Sequence, residues 1–245
     1  VLIVFGWLSG CNFRLAGKDW GVVFLLSLLR AVTSFSLIIA YQNIASGVAS
    51  TIHFMYPLAV ALAMMFFFRE KKSLLVILAV LMSLLGAALL SLGELEAKSG
   101  NTMVGLVAAC VSVFSYAGYI VGVRTTRAVQ INSTALTCYV MGLGTIFYLI
   151  GAYCTSGLQL VSDGYTWLII LGLALPATAI SNITLVQAIK YAGPTLTSIL
   201  GAMEPLTAVV IGVFVFKELF TVNSAVGIIL ILLAVSIVVF RRQKS

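Results

Sequence analysis

Charge is scarce in this sequence. Only 9% of its 245 residues are Asp, Glu, Lys or Arg, against about 25% in a soluble domain. A chain so poor in ions cannot offer water a polar surface, so lipid must solvate it. Proline occurs four times and histidine once. The four cysteines, Cys11, Cys110, Cys138 and Cys154, show neither CxxC nor His-paired spacing, so no disulfide or metal framework is implied. No phosphate loop, HExxH or GxSxG motif is present, and no cofactor is expected. Val1 to Gly10 lacks a basic stretch and is not read as a signal peptide.

Apolar residues fill the space. They make up 62% of the chain, and the mean hydropathy is +1.17. Runs long enough to span a ~30 Å hydrocarbon core fall at about 20–41, 46–68, 73–93, 103–123, 133–154, 165–188, 194–216 and 221–240. Residues 1–10 read as the tail of one more. The runs do not alternate, which argues against a β-barrel. The expectation is an all-α membrane protein with eight full helices and a fragment. Its net charge of +7 is scattered between the runs, as orientation signals are, and is no nucleic-acid footprint.

Ala40, Ser50, Pro57–Leu58, Phe66, Phe68 and Glu70 reappear as Ala188, Ser198, Pro205–Leu206, Phe214, Phe216 and Glu218, always 148 residues on. Internal repeats in a polytopic membrane chain are the usual mark of a secondary transporter. The offset predicts a ten-helix bundle of two five-helix repeats, at 1–93 and 94–245. The first repeat would lack its first helix and most of its second, about 45–50 residues by the offset. With the C-terminus placed in the cytoplasm, eleven Lys/Arg fall on the cytoplasmic side and two on the other. Equivalent helices are then five apart, so the repeats are predicted to be inverted.

Three ionisable groups fall inside spans: Arg30, His53 and Glu204. A central Arg or Asp costs about 2.5–3.5 kcal/mol on an insertion scale, so such groups face a bundle interior or a wet cavity. Glu204 precedes Pro205 near mid-span, where proline should free the Gly201 carbonyl. A bend at Gly201 and Pro205 with a carboxyl beside it suits a cation or a proton; a structural hydrogen bond is the alternative. Arg30 can hold an anion or pair with Glu204, or it can bond backbone carbonyls. His53 lies one turn before Pro57 and is either a proton-linked switch or a packing residue. Tyr56 is the repeat counterpart of Glu204. Tyr116, Tyr119, Asn182 and Gln187 add polar atoms that line a cavity or join helices. Pro57, Pro205 and Gly201 are hinge candidates. Glu70 and Glu218 are expected to cap or pair in their tight turns. Gly118-x-x-x-Gly122 permits close helix contact and admits a homodimer, although bundle packing is the commoner use. Asn132-Ser133-Thr134 matches a glycosylation acceptor but falls on the cytoplasmic side, so it is read as chance.

The segments Met203-Glu204-Pro205-Leu206 and Phe216-Lys217-Glu218-Leu219-Phe220-Thr221, together with Tyr56-Pro57 and Phe68-Arg69-Glu70, resemble the EamA-like family of the drug/metabolite transporter superfamily. The resemblance covers essentially the whole chain. It implies ten helices, two inverted halves, a central cavity, and transport of amino acids, other metabolites or toxic compounds driven by proton or solute gradients. Arg30 resembles an arginine common near the start of the family's third helix. The expectation is a bacterial inner-membrane carrier of a small solute, with the bilayer as its other partner and no enzymatic activity. The rivals are an exchanger of nucleotide sugars or sugar phosphates, which favours more intramembrane cations than Arg30 alone, and a non-transporting membrane scaffold.

Overall fold

The computed structural model describes residues 2, 6–7, 13–70, 74–91, 100–154, 163–201, 203–214 and 221–243. Among these residues there is no strand. The helices are α1 (Trp20–Asn43), α2 (Ser46–His53), α3 (Tyr56–Phe67), α4 (Leu74–Ser91), α5 (Thr102–Thr125), α6 (Ser133–Cys154), α7 (Gly164–Leu173), α8 (Ser181–Ala192), α9 (Pro194–Leu200), α10 (Met203–Phe214) and α11 (Val222–Gln243). A π-helical segment, Ala174–Ile180, joins α7 to α8. Every apolar run from residue 20 onward is thus a helix or a chain of helical pieces. The expected fragment at 1–10 and the Glu218 turn lie mostly outside the described residues.

Four helical stretches among the described residues are long and apolar enough to cross a membrane: Gly17–Asn43, Val48–Phe67, Thr102–Thr125 and Ser133–Gly151. Leu74–Leu89 and Ala225–Ile237 are shorter apolar helices. The remaining two runs, 165–188 and 194–216, are interrupted by the π segment and by a break at Gly201. Proline explains the interruptions. It lacks an N–H and clashes with the carbonyl four residues back, yet fits a first helical turn. Pro57 and Pro205 accordingly sit in the first turns of α3 and α10, each opening a new helix where a kink was expected. The Gly201 carbonyl is not left free: it accepts the Glu204 N–H at 3.0 Å.

Two pairs of helix starts stand at the offset read from the sequence. Ser46 and Pro194 open α2 and α9, and Leu74 and Val222 open α4 and α11, both pairs 148 apart. Both copies break between their two short helices, within a residue of the same register.

The turns are closed by side chains. Asp163 caps α7, accepting the Thr166 N–H at 3.0 Å and hydroxyl at 2.9 Å and the Tyr165 N–H at 3.3 Å. The bonds from Thr166, then Tyr165, hold its carboxyl below the ordinary 3.8. Asn132 caps α6, accepting the Thr134 N–H at 2.9 Å, which gives the glycosylation-like triplet a structural use. Gly193, with φ 88°, ends α8 in a backbone region that glycine enters without steric cost.

Close contacts divide the chain into two compact units, Val1–Ala31 with Gly122–Gly193, and Val32–Val121 with Pro194–Ser245. In the first, Trp20 and Phe24 of α1 meet Tyr139 and Phe147 of α6 edge to face, with centroids 5.5 and 5.8 Å apart. The Tyr139 hydroxyl donates to the Phe13 carbonyl at 2.6 Å. Gly122 admits Leu26, whose Cδ2 would lie 2.8 Å from a Cβ there, so this glycine serves packing within the chain.

In the second unit α4 lies against α11. A Cβ on Gly86 would fall 2.7 Å from the Gly227 carbonyl oxygen and 2.8 Å from Ile231 Cγ1, so the two backbones touch. The repeat-equivalent pair, Ala79 and Ala234, shares one buried cluster with Val80, Ala61, Met65, Val76 and Ile199. In the same unit α3 packs on α9, with Tyr56 against Gly201 and Glu70, just past α3, bonded to Thr195. The partner number falls as the first number rises, as antiparallel neighbours require.

Candidate functional site

Two polar clusters lie within the helices, one in each compact unit. The first is aromatic. His53 ends α2 and Tyr56 begins α3, so the chain reversal between these short helices sets both rings side by side, with centroids 5.5 Å apart. From α5, Ser112, Tyr116 and Tyr119 project on one face at i, i+4 and i+7. His53 Nδ1 is 2.9 Å from Ser112 Oγ. Tyr116 lies 5.4 Å from His53 and 4.7 Å from Tyr56, the latter edge to face. Tyr119 is stacked on Tyr116 at 6.2 Å. Tyr56 and Tyr119 are buried, while His53 and Tyr116 are partly accessible.

The hydrogen bonds fix the imidazole tautomer. Ser112 donates its one hydroxyl proton to the Ala109 carbonyl at 2.6 Å. It can only accept from His53, so Nδ1 carries the hydrogen. Ser112 was not singled out from sequence, although its spacing to Tyr116 and Tyr119 marks it as their neighbour.

The second cluster surrounds Arg30. The half-buried guanidinium donates from Nη2 to Asn182 Oδ1 at 3.2 Å. Buried Asn182 donates from Nδ2 to the Thr178 carbonyl at 2.7 Å, inside the π segment. Gln187, five residues on and about 140° around α8, is exposed, so the helix places Asn182 and Gln187 on different faces. Glu204 is exposed in the first turn of α10, where a helix N-terminus favours a carboxylate by about 0.3–1 kcal/mol. Pro57 and Pro205 are buried. A Cβ on Gly201 would overlap the Tyr56 hydroxyl, so Tyr56 of one broken segment is seated in the break of the other.

Two polar contacts tie helix ends. Glu70 Oε2 accepts the Thr195 hydroxyl at 2.7 Å, reaching across to the start of α9 where a bond within its own turn was expected. Lys190, read from sequence as an orientation signal, is buried. Its Nζ donates to the Ile131 carbonyl, and its own carbonyl accepts Arg124 Nη1 at 2.6 Å. Burial lowers its ammonium pKa from 10.5 to about 8. Between those values the unfolded chain holds a proton that the folded protein has released, so stability rises with pH across that window and is flat below it. Thermal unfolding of the wild type minus that of Lys190→Met should show this rise from pH 8 to 10.5; a flat difference would mean the ammonium is solvated.

Among the described residues no group of His, Cys, Asp and Glu is placed to hold a metal. Two apolar grooves lie on the second unit, of about 400 and 370 Å³. One is lined by α1 and α5 residues such as Ser36, Ile39 and Val107. The other is lined by α3 and α5 residues, including Ala59, Ala63, Phe66, Phe114 and Gly118.

Comparison with known proteins agrees with this architecture. The model of the EamA-like transporter family matches residues 103–240. A protein of Archaeoglobus fulgidus described as an uncharacterized transporter is 28% identical over 238 residues, spanning 96% of this chain and 83% of its own length. A solved crystal structure superposes with a TM-score of 0.82 at 18% identity, covering all of this chain and 84% of the other, and shares the fold.

Proposed function

The chain belongs to the EamA-like transporter family and is a multi-pass membrane transporter; from that premise we propose that it carries a small metabolite or drug-like solute by alternating access, coupled to a proton or solute gradient. The observation that carries this reading is the seating of Tyr56 in the Gly201 break, between two copies of one broken-helix motif. Discontinuous helices at corresponding places in two repeats are where carriers bind their solutes. The reversed order of the contacts Tyr56–Gly201 and Glu70–Thr195 supports inversion of the repeats. So does the reciprocity of Gly86–Gly227 and Ala79–Ala234. The ten-helix 5+5 bundle, divided at 93/94, is the architecture these relations favour, and the bacterial inner membrane is the proposed location.

In this reading Glu204 exchanges a proton or binds a cation, and Arg30 holds an anionic group of the solute. His53 is a proton-linked group, while Tyr56, Tyr116, Tyr119 and Gln187 supply further contacts. A direct test is sided labelling of a single cysteine at position 204, after replacement of Cys11, Cys110, Cys138 and Cys154. A carrier pathway gives labelling by a membrane-impermeant thiol reagent that solute suppresses. Absence of labelling from both sides would place position 204 against lipid and end the proposal.

A further inference from the structure

We propose that the hydrogen bond between Glu70 and Thr195 is a one-sided latch, which keeps the carrier closed at one membrane face until the bond parts. The inference rests on the alternating-access reading and adds a resting state to it. Thr195 is the second residue of α9 and is 6% exposed. A buried hydroxyl in a helix usually bonds the carbonyl one turn back, as Ser27 and Thr137 do here. Thr195 has no such carbonyl within its own short helix. Its hydroxyl donates instead to Glu70 Oε2 at 2.7 Å, and the charge of a carboxylate strengthens such a bond.

A strained turn brings the acceptor there. Arg69, at φ 55°, has the one positive φ outside glycine among the described residues, in a region that L side chains rarely enter. It follows α3 directly, and the Glu70 N–H closes the turn on the Met64 carbonyl at 3.0 Å. Backbone of this kind persists where its surroundings hold it, and the Thr195 bond is such a hold. By the sequence offset, α3 and α9 belong to different repeats. Movement of one repeat away from the other at this end would separate Glu70 from Thr195, so the bond would break in each cycle. The charge bias assigns this end, with Arg69, Lys71 and Lys72, to the cytoplasm. The sequence offers no equal at the opposite end: Glu218 stands 148 residues after Glu70, but Gly47, 148 before Thr195, has no hydroxyl to give. The ligand-free carrier therefore rests closed to the cytoplasm, and solute arriving from that side binds with an affinity lowered by the small fraction of open carrier.

The test labels a single cysteine, Glu204→Cys in a chain without its four native cysteines, using a membrane-impermeant maleimide on right-side-out and inside-out vesicles. The parent should react slowly from the cytoplasmic face. Thr195→Val keeps the shape and removes the donor. It should raise the ratio of cytoplasmic to opposite-face rates about tenfold, the scale of one charge-assisted hydrogen bond. Glu70→Ala should do the same by removing the acceptor, and Thr195→Ser, which keeps a hydroxyl, should label as the parent does. The double variant Thr195→Val with Glu70→Ala should shift the ratio no further than either single change; effects that multiply overturn the pairing. A ratio that neither single change moves ends the latch alone. Absence of labelling from both faces in every variant ends the carrier reading, and the latch with it.

Discussion

Replacing Glu204 with Gln should abolish gradient-driven uptake in reconstituted vesicles while insertion and folding are unchanged. The substitution is close to isosteric, and the side chain is exposed in the first turn of α10. What is lost is an exchangeable proton or a negative charge. The chain has seven acidic residues, and Glu204 is the only one near the middle of an apolar run, where the cost of ionisation keeps such groups rare unless they work. The assay is uptake of a solute that stabilises the wild-type protein thermally, with and without an imposed pH gradient. Exchange at zero gradient should survive better than uptake. Uptake at the wild-type rate would remove any coupling role from this carboxyl.

Gly201→Ala should have a large structural effect for a single added methyl group. The new Cβ would overlap the Tyr56 hydroxyl, with Tyr56 Cζ at 3.1 Å and the Ser198 carbonyl oxygen at 3.0 Å. Tyr56 cannot retreat readily, since it is buried beneath Tyr116 with ring centroids 4.7 Å apart. Overpacking of a close-packed site costs about 1–3 kcal/mol, and here the strain falls on the two helix breaks. The expected result is a lowered unfolding temperature and a strong loss of transport. Tyr56→Phe in the same chain removes the colliding oxygen and should restore part of both. Failure of that second change to help would mean that the Tyr56–Gly201 contact is not what limits the site.

Long apolar runs are unambiguous, so the helical spans were legible in the sequence. The places where spans are broken were not. Proline marked the vicinity, but whether it bends a helix or opens a new one depends on neighbours that periodicity does not reveal. Phe54–Met55 and Gly201 therefore read as continuous helix. Pro176 alone hinted at the π segment, whose register comes from the backbone path. Tyr116, Tyr119, Arg30 and Asn182 stand out in the sequence as rare polar atoms in apolar surroundings. Ser112 escaped notice because serine is common in such helices and bonds its own backbone cheaply. The burial of Lys190 was not legible either: a lysine near a helix end normally extends to water, and this one turns inward, where the Ile131 carbonyl receives it.

The contact between α4 and α11 has a corollary for the origin of such a chain. Gly86 and Ala79 of α4 stand 148 residues before Ala234 and Gly227 of α11, so the two helices meet through corresponding small residues. With the repeats inverted as proposed, a free-standing module of this kind, inserted in both orientations, would already possess a partner in its own oppositely oriented copy. Tandem fusion of two such genes would convert that encounter from a concentration-dependent pairing into a permanent one.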